Sequence, residues 1–201
     1  MIMKKYSGYS LIELMVALVV LGILLAVGAP QMGVFFKGNR MVANANDLLG
    51  GLYLARSEAI KRNSRVTICR SENAGDAIPT CSSSAAGWEK GWFVYVDVAG
   101  IGTYSKGVDG DVLRVNTGAE GESDNQVTIT ASDIGIDKFV SFTSRGIPKQ
   151  NNGATQSGVF RICDPRGLTN TAGGVVARGV VLNAAGRVRT TKDAAKIGTC
   201  P

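Results

Sequence analysis

Three sets of residues in this sequence have types and spacings that do chemistry. The first is Gly8, Tyr9 and Glu13, where a short leader carrying Lys4 and Lys5 meets an apolar run. A carboxylate at the centre of a bilayer costs roughly 2.5–3.5 kcal/mol on insertion scales, so Glu13 in such a run calls for a partner. The second set is Cys69, Cys81, Cys163 and Cys200. An even count without a Cys-x-x-Cys pair points to disulfides formed in an oxidising compartment rather than to a metal site, and four cysteines allow three connectivities. The third is Arg187, Arg189, Lys192 and Lys196, opposed within that stretch by Asp193 alone. On a strand Arg187 and Arg189 point to one face, where two guanidiniums can bridge successive phosphates and release counterions. No aromatic lies beside Arg187–Thr190 in the sequence to stack a base, so such binding would be sequence-independent and directed to duplex DNA. A basic strand also guards a sheet edge against pairing with another edge, and both readings stay open.

Catalysis finds little to work with. The chain has no histidine, which removes Ser-His and Cys-His nucleophiles. Gly100-Ile101-Gly102 lacks the following glycine of a dinucleotide turn and the Lys-Ser/Thr pair of a phosphate loop. Asp97, Asp109 and Asp111 could hold calcium weakly, but carboxylates in a turn are ordinarily solvated. No enzyme activity, cofactor or metal is expected.

The elements that must position these residues follow from the hydrophobic pattern. From Leu14 to Pro30 every residue is apolar, glycine or proline, and the next charge after Glu13 is Lys37. As a helix at about 1.5 Å per residue this gap spans roughly 34 Å, enough for a hydrocarbon core of about 30 Å. Lys4 and Lys5 keep the N-terminus cytoplasmic and send the rest outward. A cleaved secretory signal is the alternative, with residues 26–29 as its small-residue site, although Glu13 and Gly8 fit it poorly. Pro30, between Gly28 and Gly33, should bend or open the helix. Beyond it Met41, Ala45, Leu48, Leu52, Ala55 and Ala59 form an amphipathic stripe that Leu49 and Ile60 widen, with Arg40, Asn44, Asp47, Glu58, Lys61 and Arg62 opposite. Arg56, Arg62 and Arg65 read as helix surface and subunit contacts. Strands are predicted over 65–70, 92–98, 111–116, 126–130, 139–143, 158–163, 179–183 and 187–190, the last two as a closing hairpin around residues 184–186. Loops over 99–110 and 117–125 are glycine-rich and acidic. The composition allows one core-bearing domain with an appendage.

Lys4-Lys5-Tyr6-Ser7-Gly8 followed by Tyr9-Ser10-Leu11-Ile12-Glu13 resembles the class III leader of type IV pilins and of the pseudopilins of type II secretion. The resemblance implies cleavage after Gly8 by a prepilin peptidase, which also methylates the new N-terminus at Tyr9. Glu13 becomes the fifth mature residue and pairs in the filament with a neighbouring subunit's N-terminal ammonium. Tyr9 and Ser10 depart conservatively from the family's phenylalanine and threonine. Residues 54–59 (LARSEA), Val66–Arg70, Gly87-Trp88 with Gly91-Trp92, Ser144-Arg145-Gly146, residues 160–167 (FRICDPRG) and Gly186-Arg187-Val188-Arg189 together resemble the GspH/FimT/FimU branch of minor pilins and pseudopilins.

That resemblance implies an α+β, type IV pilin-like lollipop, its long N-terminal helix packed on an antiparallel β-sheet head. Its parts are a leader (1–8), a transmembrane and filament-core helix (9–36), the amphipathic half of the same helix (37–64) and a globular head (65–201). It implies the pairs Cys69–Cys81 and Cys163–Cys200. The partners would be the prepilin peptidase, other major and minor pilins, and the inner membrane before assembly into a surface pilus. Gly-Arg-Val-Arg resembles the motif tied to DNA binding in FimT-type pilins of natural transformation, which adds double-stranded DNA through Arg187 and Arg189, with Lys192 and Lys196 as weaker additions. A minor pseudopilin of type II secretion is the alternative.

Overall fold

The computed structural model describes residues 8–84, 87–118, 127–169 and 173–200, with backbone alone at 27–31 and 34. The basic leader before Gly8, the acidic stretch 119–125 and Gln126 lie outside the described residues. Two compact units divide the chain, one up to Gly38 and the other from Asn39.

Helix α1 spans Leu11–Arg62 and contributes to both units. In the first unit its described apolar side chains, from Leu11 to Phe36, are exposed. The backbone stays helical through Pro30, so the expected opening is not seen. A proline removes a single ladder hydrogen bond, and a long helix can absorb that. Asn63 ends α1 at φ 49°, a left-handed setting that asparagine tolerates, while the Ser64 N–H closes back on the Ala59 carbonyl at 3.2 Å.

In the second unit two four-stranded antiparallel sheets form. One is ordered β3 (Val112–Asn116), β2 (Trp92–Val96), β1 (Val66–Arg70), β5 (Phe139–Phe142). The other is ordered β4 (Thr128–Ala131), β6 (Gly158–Cys163), β7 (Arg178–Leu182), β8 (Val188–Thr191). Each expected strand is found within two residues of its predicted bounds. The period-2 alternation of β1 and β2 serves two cores, because both faces are covered. Val66, Ile68, Trp92, Val94 and Val96 join the α1 stripe of Met41, Ala45, Leu48, Leu52, Ala55 and Ala59. Cys69, Phe93 and Tyr95 face the other way into a smaller cluster with Tyr104 and Phe139. In the second sheet Ile129, Phe160, Ile162, Val180, Leu182 and Val188 close over the main core. Ile60 does not widen the stripe: it stays half exposed, over Gly146.

Between the sheets, Trp88 in a 3-10 turn (Trp88–Lys90) stacks edge-on against Phe160 at 5.2 Å and donates its indole N–H to the Asp137 carbonyl. Both disulfides are formed, Cys69–Cys81 and Cys163–Cys200. The second tethers the C-terminal segment, where a short helix, α2 (Ala194–Ile197), buries Ile197 and is capped by Asp193. Four residues are too few for helical periodicity to show in a sequence.

Tyr95 gives the fold an alkaline limit. Among the described residues its buried hydroxyl has no hydrogen-bond partner, and burial, then the Asp97 and Asp109 carboxylates, hold its pKa above the usual tyrosine range. The unfolded chain releases this proton near pH ~10 while the folded chain keeps it, so stability is level below that pH and falls above it. The expected loss is about 1.4 kcal/mol per pH unit, absent in Tyr95→Phe, which at pH 7 changes stability by under about 1 kcal/mol. Urea unfolding of both proteins from pH 8 to 11 checks this; equal alkaline losses would count against it.

Candidate functional site

At the N-terminus the first unit sets Glu13 in the opening turn of α1. Ser10 starts the helix: its hydroxyl accepts from the Glu13 backbone N–H at 3.3 Å and its carbonyl from Leu14 at 3.2 Å. An acidic residue in a first helical turn faces the positive end of the helix dipole. Gly8 and Tyr9 are exposed just ahead of this turn, and nothing lies within 4 Å of where a Cβ on Gly8 would sit. Among the described residues no helix is long and apolar enough to cross a membrane.

The second unit builds a junction from three stretches far apart in the chain. Arg56, on the buried half of α1, donates to the Ala185 carbonyl at 3.3 Å. Its Nε is buried without an acceptor, at 3.1 Å from the position a Cβ on Gly146 would take and 3.3 Å from that on Gly186. Gly146 and Gly186, at φ 72° and 77°, close the turns after β5 and β7. A Cβ on Gly186 would lie 2.1 Å from the Gly146 carbonyl oxygen, so the two turns touch backbone to backbone. Asn183 shapes the second turn by accepting from the backbone N–H groups of Ala185 and Arg187. Thus residues 54–59, 144–146 and 186–189, which the sequence shows as separate motifs, meet at one place.

Arg187 and Arg189 emerge from this junction exposed, with Val188 buried between them. Arg187 precedes β8, which is the outer strand of its sheet and among the described residues pairs with β7 alone, from Leu182–Val188 to Gly179–Thr191. Its far edge is covered in part: the Tyr53 hydroxyl of α1 donates to the Val188 carbonyl at 2.7 Å. Tyr53 remains 47% exposed. This corrects the expectation that no aromatic lies near Arg187–Thr190, because the ring arrives from 135 residues away.

The weaker basic residues are placed differently. Lys192 lines a groove of about 360 Å³ with Val42, Ala45, Asn46, Arg178 and Thr191. At about 3.3 Å per residue it lies roughly 16 Å along the chain from Arg187. Lys196 pairs with Asp193 at 3.0 Å, on α2. Two arginines assigned to the helix surface are not there. Arg56 is held in the junction, and Arg65 turns inward to donate to the Ser141 hydroxyl and the Lys149 carbonyl, each at 3.1 Å. Arg62 does lie on the surface, paired with Glu58 at 2.6 Å. Asp97 and Asp109 organise the 99–110 loop. Asp97 accepts from the backbone N–H groups of Gly100, Ile101 and Gly102, and Asp109 from those of Ala99 and Ser105. Among the described residues no cluster of metal-ligating side chains occurs.

A long N-terminal helix, two antiparallel sheets and two disulfides define a type IV pilin-like protein. Residues 44–186 match the family described as type II transport protein GspH, and residues 3–29 match the prokaryotic N-terminal methylation motif. The chain belongs to the GspH family. The N-terminal motif implies processing by a peptidase and assembly with other pilins. Among solved structures, the fold is similar to the type IV minor pilin FimU of Pseudomonas aeruginosa strain PAO1, at 20% identity and TM-score 0.52, covering 78% of this chain and 92% of that one. A second crystal form of FimU matches at 20% identity and TM-score 0.48, covering 74% and 90%. No curated protein gives a significant match.

Proposed function

We propose that this protein is a minor pilin of a type IV pilus, inserted in the inner membrane with an exported head and then assembled into the filament or its tip. A prepilin peptidase cuts after Gly8 and methylates Tyr9. Residues 9–36 anchor the subunit in the membrane and later pack in the filament core, where Glu13 meets a neighbouring subunit's new ammonium. Residues 37–64 carry the head, residues 65–201. The head also binds duplex DNA through Arg187 and Arg189, with Lys192 and Lys196 contributing less. No catalytic step is assigned to it.

One observation carries the processing part of this reading. Gly8 and Tyr9 are exposed just ahead of α1, and among the described residues nothing lies within 4 Å of where a Cβ on Gly8 would sit, which leaves the bond between them open to a peptidase. In cells with an active prepilin peptidase, the intact mass of wild type should lack residues 1–8 and carry one added methyl group, while Gly8→Val should keep the whole leader. A wild-type mass that retains residues 1–8, or that begins beyond residue 29, would overturn the proposal in favour of no processing or an ordinary secretory signal.

The family description favours a second reading, a minor pseudopilin of type II secretion. Recovery of the protein in sheared surface fibres supports the pilus; its absence there, with loss of protein secretion on deletion, supports the pseudopilus.

A further inference from the structure

Arg145 has no place in the Gly-Arg-Val-Arg motif, yet the fold sets it beside that motif. It immediately precedes Gly146, whose carbonyl oxygen would lie only 2.1 Å from a Cβ on Gly186, and Arg187 immediately follows Gly186. The two arginines therefore flank a backbone-to-backbone contact. Arg145, Arg187 and Arg189 are all exposed. Among the described residues none of the three forms an ion pair, whereas the nearby helix cations Lys61 and Arg62 are both bound to Glu58. Arg56 lies beneath them, its Nε buried without an acceptor and its terminal nitrogen on the Ala185 carbonyl.

We infer that Arg145 completes a phosphodiester-binding patch with Arg187 and Arg189, and that Arg56 is the positioning residue that clasps the two turns presenting them. This rests on the DNA-binding reading above and extends it to a residue 41 positions before the motif. The ligand is the backbone of duplex DNA. Arg145 and Arg187 on the adjoining turns and Arg189 on β8 offer forked donors to successive phosphates, and the affinity so gained is sequence-independent and steeply dependent on salt. Lys196, paired with Asp193, and Lys192, at the groove beside Val42, lie at the margin of the patch and contribute less. The Tyr53 hydroxyl is committed to the Val188 carbonyl, so its ring is held in place at the border of the patch.

The test uses the full mature chain in a non-ionic detergent, with a fluorescent mixed-sequence duplex and its single strand, titrated from low to moderate salt. Wild type should bind the duplex with a log–log salt slope steeper than about −2, each phosphate contact adding about −0.9. Arg145→Gln should flatten the slope by about one and weaken binding roughly tenfold at ~0.1 M salt, with an unchanged melting temperature. Arg145→Lys should keep most of the slope, and Arg187→Gln/Arg189→Gln should flatten it by about two. If wild type binds and the double variant loses binding while Arg145→Gln keeps the wild-type slope, the inference fails and the DNA reading stands. If wild type does not bind the duplex at low salt, both fail together. Tighter binding of the single strand, lost in Tyr53→Leu, would replace the duplex assignment with a stacking platform.

Discussion

Gly186→Ala is expected to destabilise the head by about 4 kcal/mol, while Gly167→Ala costs about 1 kcal/mol. The two glycines share φ 77°, so the penalty of a side chain in the left-handed region is common to both. They differ in what a Cβ would meet. Among the described residues nothing lies within 4 Å of a Cβ on Gly167, whereas at Gly186 the Gly146 carbonyl oxygen would be 2.1 Å away, and it is backbone that cannot swing aside. Relieving that overlap means separating the turns after β5 and β7. The separation loosens the Arg56–Ala185 and Tyr53–Val188 hydrogen bonds, worth about 1 kcal/mol each, and leaves the Arg56 guanidinium less well held. Denaturant unfolding of the two variants against wild type checks the comparison. Equal losses would mean that the turns can part at little cost and that Arg145 and Arg187 are not held together.

The same contact explains what was legible in the sequence and what was not. All eight strands and the buried stripe of α1 could be read because burial imposes its period on neighbouring residues. Val66 and Ile68 alternate with Thr67 and Cys69 whatever the rest of the chain does. The junction has no such local trace. Gly186 reads as a hairpin glycine, Arg145 as part of a Ser-Arg-Gly motif and Arg56 as helix surface, since each assignment is sound for its own element. Only tertiary packing brings residue 56 to 185 and residue 146 to 186, across separations of 129 and 40 positions. Tyr53 went unseen beside β8 for the same reason. Arg65 was misplaced by a subtler effect: three residues past the helix end and one before β1, its side chain follows the strand and turns in to Ser141. The N-terminal site is the reverse case. Gly8, Tyr9 and Glu13 are legible in full as a pattern, and among the described residues they lie exposed with little beyond the Ser10–Glu13 contact at the helix start, as the proposed reading by another molecule requires.

The glycine of Gly-Arg-Val-Arg thus has a structural duty independent of any ligand, which bears on how that motif is tested. Replacing Gly186 would abolish the proposed DNA binding by disrupting the turns, with no information about the arginines. Substituting Arg187, Arg189 or Arg145 changes charge at exposed positions and leaves the turn contact intact. The edge-guarding role of β8 is also shared: the Tyr53 hydroxyl already occupies the Val188 carbonyl, so the arginines are less needed to keep another strand away.

Glu13→Val is expected to leave processing intact and reduce incorporation into filaments roughly a hundredfold or more. In the proposed assembly the helix packs among other helices away from water, and the Glu13 carboxylate is compensated by the ammonium that cleavage after Gly8 creates. Removing one partner of a buried ion pair leaves the other charge uncompensated, at about 3–5 kcal/mol. At about 1.4 kcal/mol per factor of ten, that is a hundredfold or greater shift against assembly. Within the isolated chain Glu13 lies exposed in the first turn of α1, so the substitution should not unfold the head or move its melting temperature. Glu13→Asp keeps the charge but withdraws it by one methylene, and intermediate incorporation is expected. Quantifying the protein in sheared fibres and in the membrane fraction separates the cases. Normal incorporation of Glu13→Val would show that the carboxylate makes no assembly contact, and a fall in cleaved protein would place its role in recognition by the peptidase instead.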